Sequence, residues 1–359
     1  MCLFGHIGAQ DVRQGLLGDC WLLSGMSALA DHRQLVRNLF AQKQIDEAGR
    51  YDVRLFHPKT DKWVTITVDD SLPIGPDGEL LFSRLNSEGE IWPCLVEKAV
   101  AELLGGYKQL CGCSPLMGFK VLAGCRDNKL LQLSTLGNGQ WQCSTFKVLK
   151  LDPGPNGLVH DLEWSYVDWP AASEATAQAT PSTVSAAKSY SGHRPAAEAF
   201  KLLASLDLTR NHGGREGSLV EKAADGKGAV LMACSLSVSQ HFHAGDGEEM
   251  MEEQMQAAIN SRKTEGLRWA HAYTVLNVCT DLYGSGVNLI KIRNTHASQG
   301  MVWNGAWSKD WAGWAQYPQL RDRLGLDQQV QEWTDDGGVF WMCEEDFLAR
   351  CGDIFLGLT

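Results

Sequence analysis

Cys20 stands in the segment Gln-Gly-Leu-Leu-Gly-Asp-Cys-Trp-Leu-Leu, residues 14–23, where a helix is predicted to begin. A thiol at that place meets backbone N–H groups that have no intrahelical partner, and the positive end of the helix dipole. Both stabilise the thiolate, the nucleophilic form of the side chain. Gln14, six residues earlier, carries an amide N–H able to reach an oxyanion formed beside the sulfur. An isolated cysteine is ordinarily a small core residue. The helix start, the glutamine and the neighbouring glycines point instead to nucleophilic chemistry.

A thiolate nucleophile needs a base, and a third group that orients the base. His271 precedes a predicted strand at 272–278, and the following strand ends at Arg293-Asn294, with a Tyr-Gly-Ser-Gly turn at 283–286 between them. In an antiparallel hairpin closed by that turn, residues whose numbers sum to roughly 565–570 lie opposite each other. His271 and Asn294 sum to 565. The Asn294 side-chain carbonyl can then accept from one ring nitrogen and leave the other for Cys20. Taken singly, His271 reads as a strand-end histidine and Asn294 as a turn residue. Their pairing, with a thiol waiting, makes a Cys–His–Asn constellation.

The elements that must position these residues are legible in outline. After Cys20, Leu22, Met26 and Leu29 recur at helical spacing, with Gly25 as a weak break. Two short strands are expected at 51–56 and 63–68, and a second amphipathic helix at 91–104. Residues 171–190 are Ala, Ser and Thr with almost no large apolar side chain, and read as a flexible insertion. Glycines at 213, 214, 217, 226 and 228 mark a hinge. The last third is β-rich, with apolar strands at 229–238 and 272–278 and an alternating one from 287. The expected division is a first subdomain at 1–135, an insertion and hinge at 136–228, and a second subdomain at 229–359.

The 359 residues carry a net charge of -11, which repels phosphate and argues against nucleic acid as a partner. No apolar run approaches the ~18 residues of a membrane span, and the N-terminus lacks a signal-peptide pattern. Eleven cysteines without a framework imply reduced thiols and a cytoplasmic location. The pairs Cys111/Cys113 and His241/His243 have no second pair at zinc-site spacing.

The chain resembles the calpain family of papain-like cysteine proteases. The family pattern Q-G-x-L-G-D-C-W-L-L is met by residues 14–23. The histidine motif G-H-A-Y-S-V resembles Ala-His-Ala-Tyr-Thr-Val at 270–275. The asparagine motif R-N-P-W-G, followed by W-x-G-x-W-S, resembles residues 293–297 and then Trp303 to Ser308. Phe340-Trp341-Met342 resembles the closing strand. The resemblance implies an α+β, papain-like fold in two subdomains, one helical and carrying Cys20, the other β-rich and carrying His271 and Asn294. It implies Cys20 as nucleophile, His271 as general base and acid, Asn294 as orienter, and Gln14 with the Cys20 N–H as oxyanion donors. Substrates would be proteins or peptides, and the chain would consist of the protease core alone.

Calcium enters through the same resemblance. Asp11 and Glu90 stand where the first subdomain's acidic ligands are expected. The second subdomain's site looks lost, because Val302, Lys309 and Val339 occupy its acidic positions, with Asp310, Asp335 and Asp336 as the nearby substitutes. Two further departures bear on catalysis. His296 replaces a tryptophan that shields the His–Asn bond, so a wetter and looser bond is expected. Ala270 replaces a glycine and adds a methyl group beside the catalytic strand. The expected function is limited cleavage of exposed protein segments. A binding protein that no longer cleaves is the alternative, and a transglutaminase would be expected to carry aspartate at position 294.

Overall fold

The computed structural model describes residues 1–135, 141–153, 159–166, 194–211, 229–236, 260, 263–297, 301–324, 326 and 337–359. The 171–190 stretch, the glycines at 213–228, His241, His243, Asp335 and Asp336 lie outside the described residues.

The N-terminal region is helical around α1 (Cys20–Ala30), α2 (Arg33–Asn38), α3 (Trp92–Leu104) and α4 (Pro115–Ala123). A two-stranded antiparallel ribbon, β1 (Arg50–His57) and β2 (Lys62–Asp69), joins this group. Every residue of α1 after Cys20 is buried, so this helix forms the centre of a core rather than a surface stripe. Gly25 does not break it. It faces Gly118 of α4, where a Cβ on Gly118 would stand 2.9 Å from the Trp21 carbonyl oxygen. The absence of side chains at these two positions lets the helices approach closely.

A nine-stranded antiparallel sheet follows. Its strands are β3 (Asp127–Thr135), β4 (Trp141–Pro153), β5 (Val159–Tyr166), β6 (Arg194–Pro195), β7 (Val230–Leu236), β8 (His271–Cys279), β9 (Leu289–Arg293), β10 (Val339–Cys343) and β11 (Cys351–Leu358). The order is β10-β9-β8-β7-β11-β3-β4-β5, with β6 on β4. The sheet cuts across the division expected at 135 and 136. β3 pairs with the C-terminal strand β11 on one side and with β4, on the other side of that division, on the other.

The central strand β7 is buried on both faces. In β7, Leu231 and Ala233 join the core around α1, whereas Val230, Met232, Cys234 and Leu236 join a second core with Phe200 and Leu203 of α5 (Ala196–Asn211) and with Phe347. Successive strand residues point to opposite faces, so a strand covered on both sides reads as the unbroken apolar run seen at 230–236 rather than as an alternation. A third cluster gathers Trp307, Trp314, Leu320 and Trp341 beyond β9. Among the described residues no helix is long and apolar enough to cross a membrane. None of the eleven cysteines is in a disulfide.

Candidate active site

Cys20 is the first residue of α1, with Asp19 as the N-cap. The Asp19 backbone carbonyl accepts from the N–H groups of Leu22 (2.9 Å) and Leu23 (3.1 Å), which fixes the first turn beneath the thiol. β8 begins at His271 and crosses α1, and Thr274 Oγ1 donates to the Ser24 carbonyl of that helix at 3.1 Å. Burial pushes the Cys20 thiol up from its ordinary value, while backbone N–H groups of Ala272, Trp21 and Cys20 itself pull it down. The residue after His271 thus turns its N–H toward the sulfur.

The His271 and Asn294 side chains meet, Nε2 to Oδ1, at 2.7 Å. The amide orientation follows from its other bonds: Asn294 Nδ2 donates to Met301 O at 2.7 Å, and the His296 N–H donates to Oδ1 at 2.9 Å. Oδ1 being an acceptor, Nε2 carries the ring proton and Nδ1 keeps its lone pair. Burial pushes His271 down to about 3, opposed by the bond to Asn294. Burial thus disfavours the charged form of both groups.

The β8–β9 register pairs Thr274 with Arg293 and Val275 with Ile292, then shifts by one residue through a bulge before Asn277, which pairs with Lys291. Asn294 lies one residue past the paired segment, and its N–H donates to Gly338 O at 2.8 Å. Gly338 has φ +67°, and a Cβ there would stand 2.2 Å from the Asn294 carbonyl oxygen, so the approach requires glycine.

His296 corrects one expectation. Its ring is buried, 6.2 Å from the His271 ring centroid and edge-on to it, and Asn294 is fully buried. The His271–Asn294 bond is therefore sheltered from water, although an imidazole fills the tryptophan position.

Gln14 is buried and tied to both sides of the site. Its backbone N–H donates to Thr295 O at 2.8 Å, its Oε1 accepts from Thr295 Oγ1 at 3.3 Å, and its Nε2 donates to Leu17 O at 2.8 Å. An amide nitrogen has two hydrogens, so a second donor is left for an oxyanion. The adjacent Gly15 admits no side chain, since its Cβ would come 2.0 Å from Phe82 O. Thr295 was not singled out in the sequence. Nothing but its place after Asn294 signals it.

Asp11 and Glu90 are both buried and converge through Asn86, whose Nδ2 donates to Asp11 Oδ1 (2.9 Å) and Glu90 Oε2 (2.6 Å). The Gly8 N–H donates to Asp11 Oδ2 at 2.7 Å, and the Gly5 N–H to Glu90 Oε1. Burial, then the Glu90 charge, pushes Asp11 up to about 7. Paired hard oxygens under mutual repulsion suit a calcium ion, which would relieve that repulsion. Among the described residues no group of three or more His, Cys, Asp or Glu side chains gathers for a metal. At the second position Val302 is half-buried, Val339 is buried in β10, and Lys309 and Asp310 are exposed.

The family model described as calpain family cysteine protease matches residues 2–144 and 200–356. The chain belongs to the calpain family. It is 26% identical over 352 residues to calpain-8 of Rattus norvegicus, covering 97% of this chain and 35% of that protein. To calpain-5 of Caenorhabditis elegans it is 27% identical over 368 residues, covering 96% of this chain and 43% of that protein. A shorter match, 38% over 125 residues, reaches the calpain-1 catalytic subunit of Gallus gallus and covers 34% of this chain and 17% of that protein. The chain thus spans well under half the length of these calpains.

Arg293, adjacent to Asn294, was quoted in the motif without a role. It is buried and ties the two cores together. Nε donates to Gly337 O (2.9 Å), Nη1 to Ser27 Oγ (3.3 Å) of α1, and Nη2 to Gln10 O (3.2 Å) and Val12 O (2.6 Å). The last two carbonyls bracket Asp11.

Proposed function

We propose that this calpain-family chain is a cysteine endopeptidase making limited cuts in exposed, flexible protein segments. The observation that carries the reading is the 2.7 Å His271–Asn294 contact at the start of the strand that meets Cys20. That bond leaves Nδ1 unprotonated. Nδ1 takes the Cys20 proton, and the resulting thiolate attacks the scissile carbonyl carbon. The oxyanion accepts from the second Gln14 Nε2 hydrogen and from the Cys20 N–H. His271, now imidazolium, protonates the amine as the C–N bond breaks and the acyl-enzyme forms. His271 then deprotonates a water, which attacks the thioester carbonyl and releases Cys20.

Asp11 and Glu90 are the residues that would hold calcium in this reading, with Asn86 and the backbone around Gly8 beside them. The ion would supply positive charge against two buried carboxylates and so stiffen the loop whose carbonyls receive Arg293. The second subdomain lacks acidic side chains at Val302, Lys309 and Val339, and no site is assigned there. Eleven free thiols fit a reducing, cytosolic setting.

A second reading, a binding protein that no longer cleaves, is favoured by those lost acidic positions and by Ala270. Labelling separates the two. An epoxysuccinyl reagent is expected to modify Cys20 selectively among the cysteines, and equal or absent labelling of Cys20 would favour the binding protein.

A further inference from the structure

Immediately before Cys20, Asp19 presents a carboxyl group that meets no donor beyond its own backbone N–H and the neighbouring Glu97. The residue is 0% exposed, neither Oδ1 nor Oδ2 has a well-formed hydrogen bond from another residue, and the side chain does not cap α1. Its neighbour is a second buried carboxyl, Glu97 of α3, which is 2% exposed. Both Glu97 oxygens accept from the Ser83 N–H, at 3.1 and 3.0 Å. Two anionic carboxylates cannot share a dry site without a cation or a proton between them.

The proton's place follows from the donors. Glu97 is met by the Ser83 N–H and by Asp19, whereas Asp19 is met only by its own backbone N–H and by Glu97, so the proton belongs to Asp19 and the charge to Glu97. The titratable groups facing Asp19 are Glu97, Cys20 and Tyr107, and those facing Glu97 are Asp19, Cys94 and Tyr107. Burial first, and Glu97 second, push Asp19 up, and Cys20 adds to the rise. That coupling is mutual: an ionised Asp19 would oppose the Cys20 thiolate by the same charge.

We propose that Asp19 is a positioning residue that stays protonated at neutral pH and donates its proton to Glu97. The N-cap of α1 is thereby uncharged, and the field of the helix N-terminus is left to the Cys20 thiolate. The O–H···O bond also pins α1 to α3 directly beneath the nucleophile. This inference rests on the reading of Cys20 as the nucleophile, but its test reads the thiol and not peptide cleavage, so the two can fail separately.

The test is the pH dependence of Cys20 alkylation by iodoacetamide in the intact chain, followed by peptide mass mapping because ten other cysteines are present. In Asp19→Asn the amide donates to Glu97 as the acid does, and the profile is expected to match the parent within about twofold. In Glu97→Gln the amide donates to Asp19 instead, which then ionises beside the sulfur. The Cys20 inflection should rise by about one unit, a roughly tenfold slower reaction at pH 7. Matching profiles in all three proteins would overturn the proposal, as would a large shift in Asp19→Asn with none in Glu97→Gln. Should either variant fail to fold, infrared spectroscopy of the chain with 13C-labelled aspartate decides, recorded in an Asp11→Asn, Asp353→Asn background because burial also pushes those two carboxyls up. A protonated-carboxyl stretch from aspartate at neutral pH supports the proposal, and its absence overturns it.

Discussion

Ala270, the residue before His271, has φ +50°, a left-handed conformation that alanine adopts at a cost. The sequence flagged this position for its added methyl group, but the cost lies in the backbone. Ala270→Gly is expected to raise the unfolding free energy by about 0.5–1 kcal/mol, read from urea midpoints. A loss of stability would contradict the strain. His271 itself makes a prediction about pH. Its value falls from the ordinary 6.5 to about 3 because burial disfavours the charged ring. The neutral base therefore persists as pH drops, and the acid limb of kcat/KM should lie well below 6.5. An acid limb at 6.5 or above would show a solvated imidazole instead. For stability the sign is the reverse. The unfolded chain takes up a proton near 6.5 while the folded site does not until about 3, so folding weakens as pH falls through that window. Cys20, Gln14, His271 and Asn294 were legible because each has a type that chemistry requires at a definable place. Asn86 and Thr295 were not, because an amide or hydroxyl that holds another side chain leaves no spacing of its own.

At the level of elements, α1 and the β8–β9 hairpin were readable for different reasons. The helix showed its period and its start. The hairpin showed two apolar runs around a glycine turn, and constant-sum pairing placed His271 near Asn294 even though a bulge shifts the register by one residue. The pairing of β3 with β11 was not readable, since Leu131 and Ile354 come together across most of the chain and no local pattern encodes such a partner. The link that unites these elements is Arg293. Its guanidinium donates to carbonyls of the 10–12 loop and to Ser27 of α1 while its neighbour holds His271. A lysine keeps the charge but cannot span these acceptors with a planar fork. Arg293→Lys is expected to cost about 3 kcal/mol in thermal or urea unfolding, and to lower kcat more than it raises KM. A change below about 0.5 kcal/mol, the ordinary surface range, would show that Arg293 is not a tether.

Across the whole molecule, the proposed catalytic residues lie where two cores meet. Cys20 comes from the helical core, His271 from a strand of the sheet, and Asn294 from the residue just past β9. The expected division at 135 and 136 falls between β3 and β4, which pair in one sheet. The Asp11–Glu90 pair sits in the same seam, next to the carbonyls that receive Arg293, so a cation bound there would act on the alignment of both halves. The most direct test is hydrolysis of a fluorogenic peptide by the parent chain and by Cys20→Ser, each with calcium and with a chelator. Cleavage by the parent is expected, stimulated by calcium and abolished in Cys20→Ser. Cleavage that survives in the serine variant, or no cleavage by the parent in either condition, would contradict it.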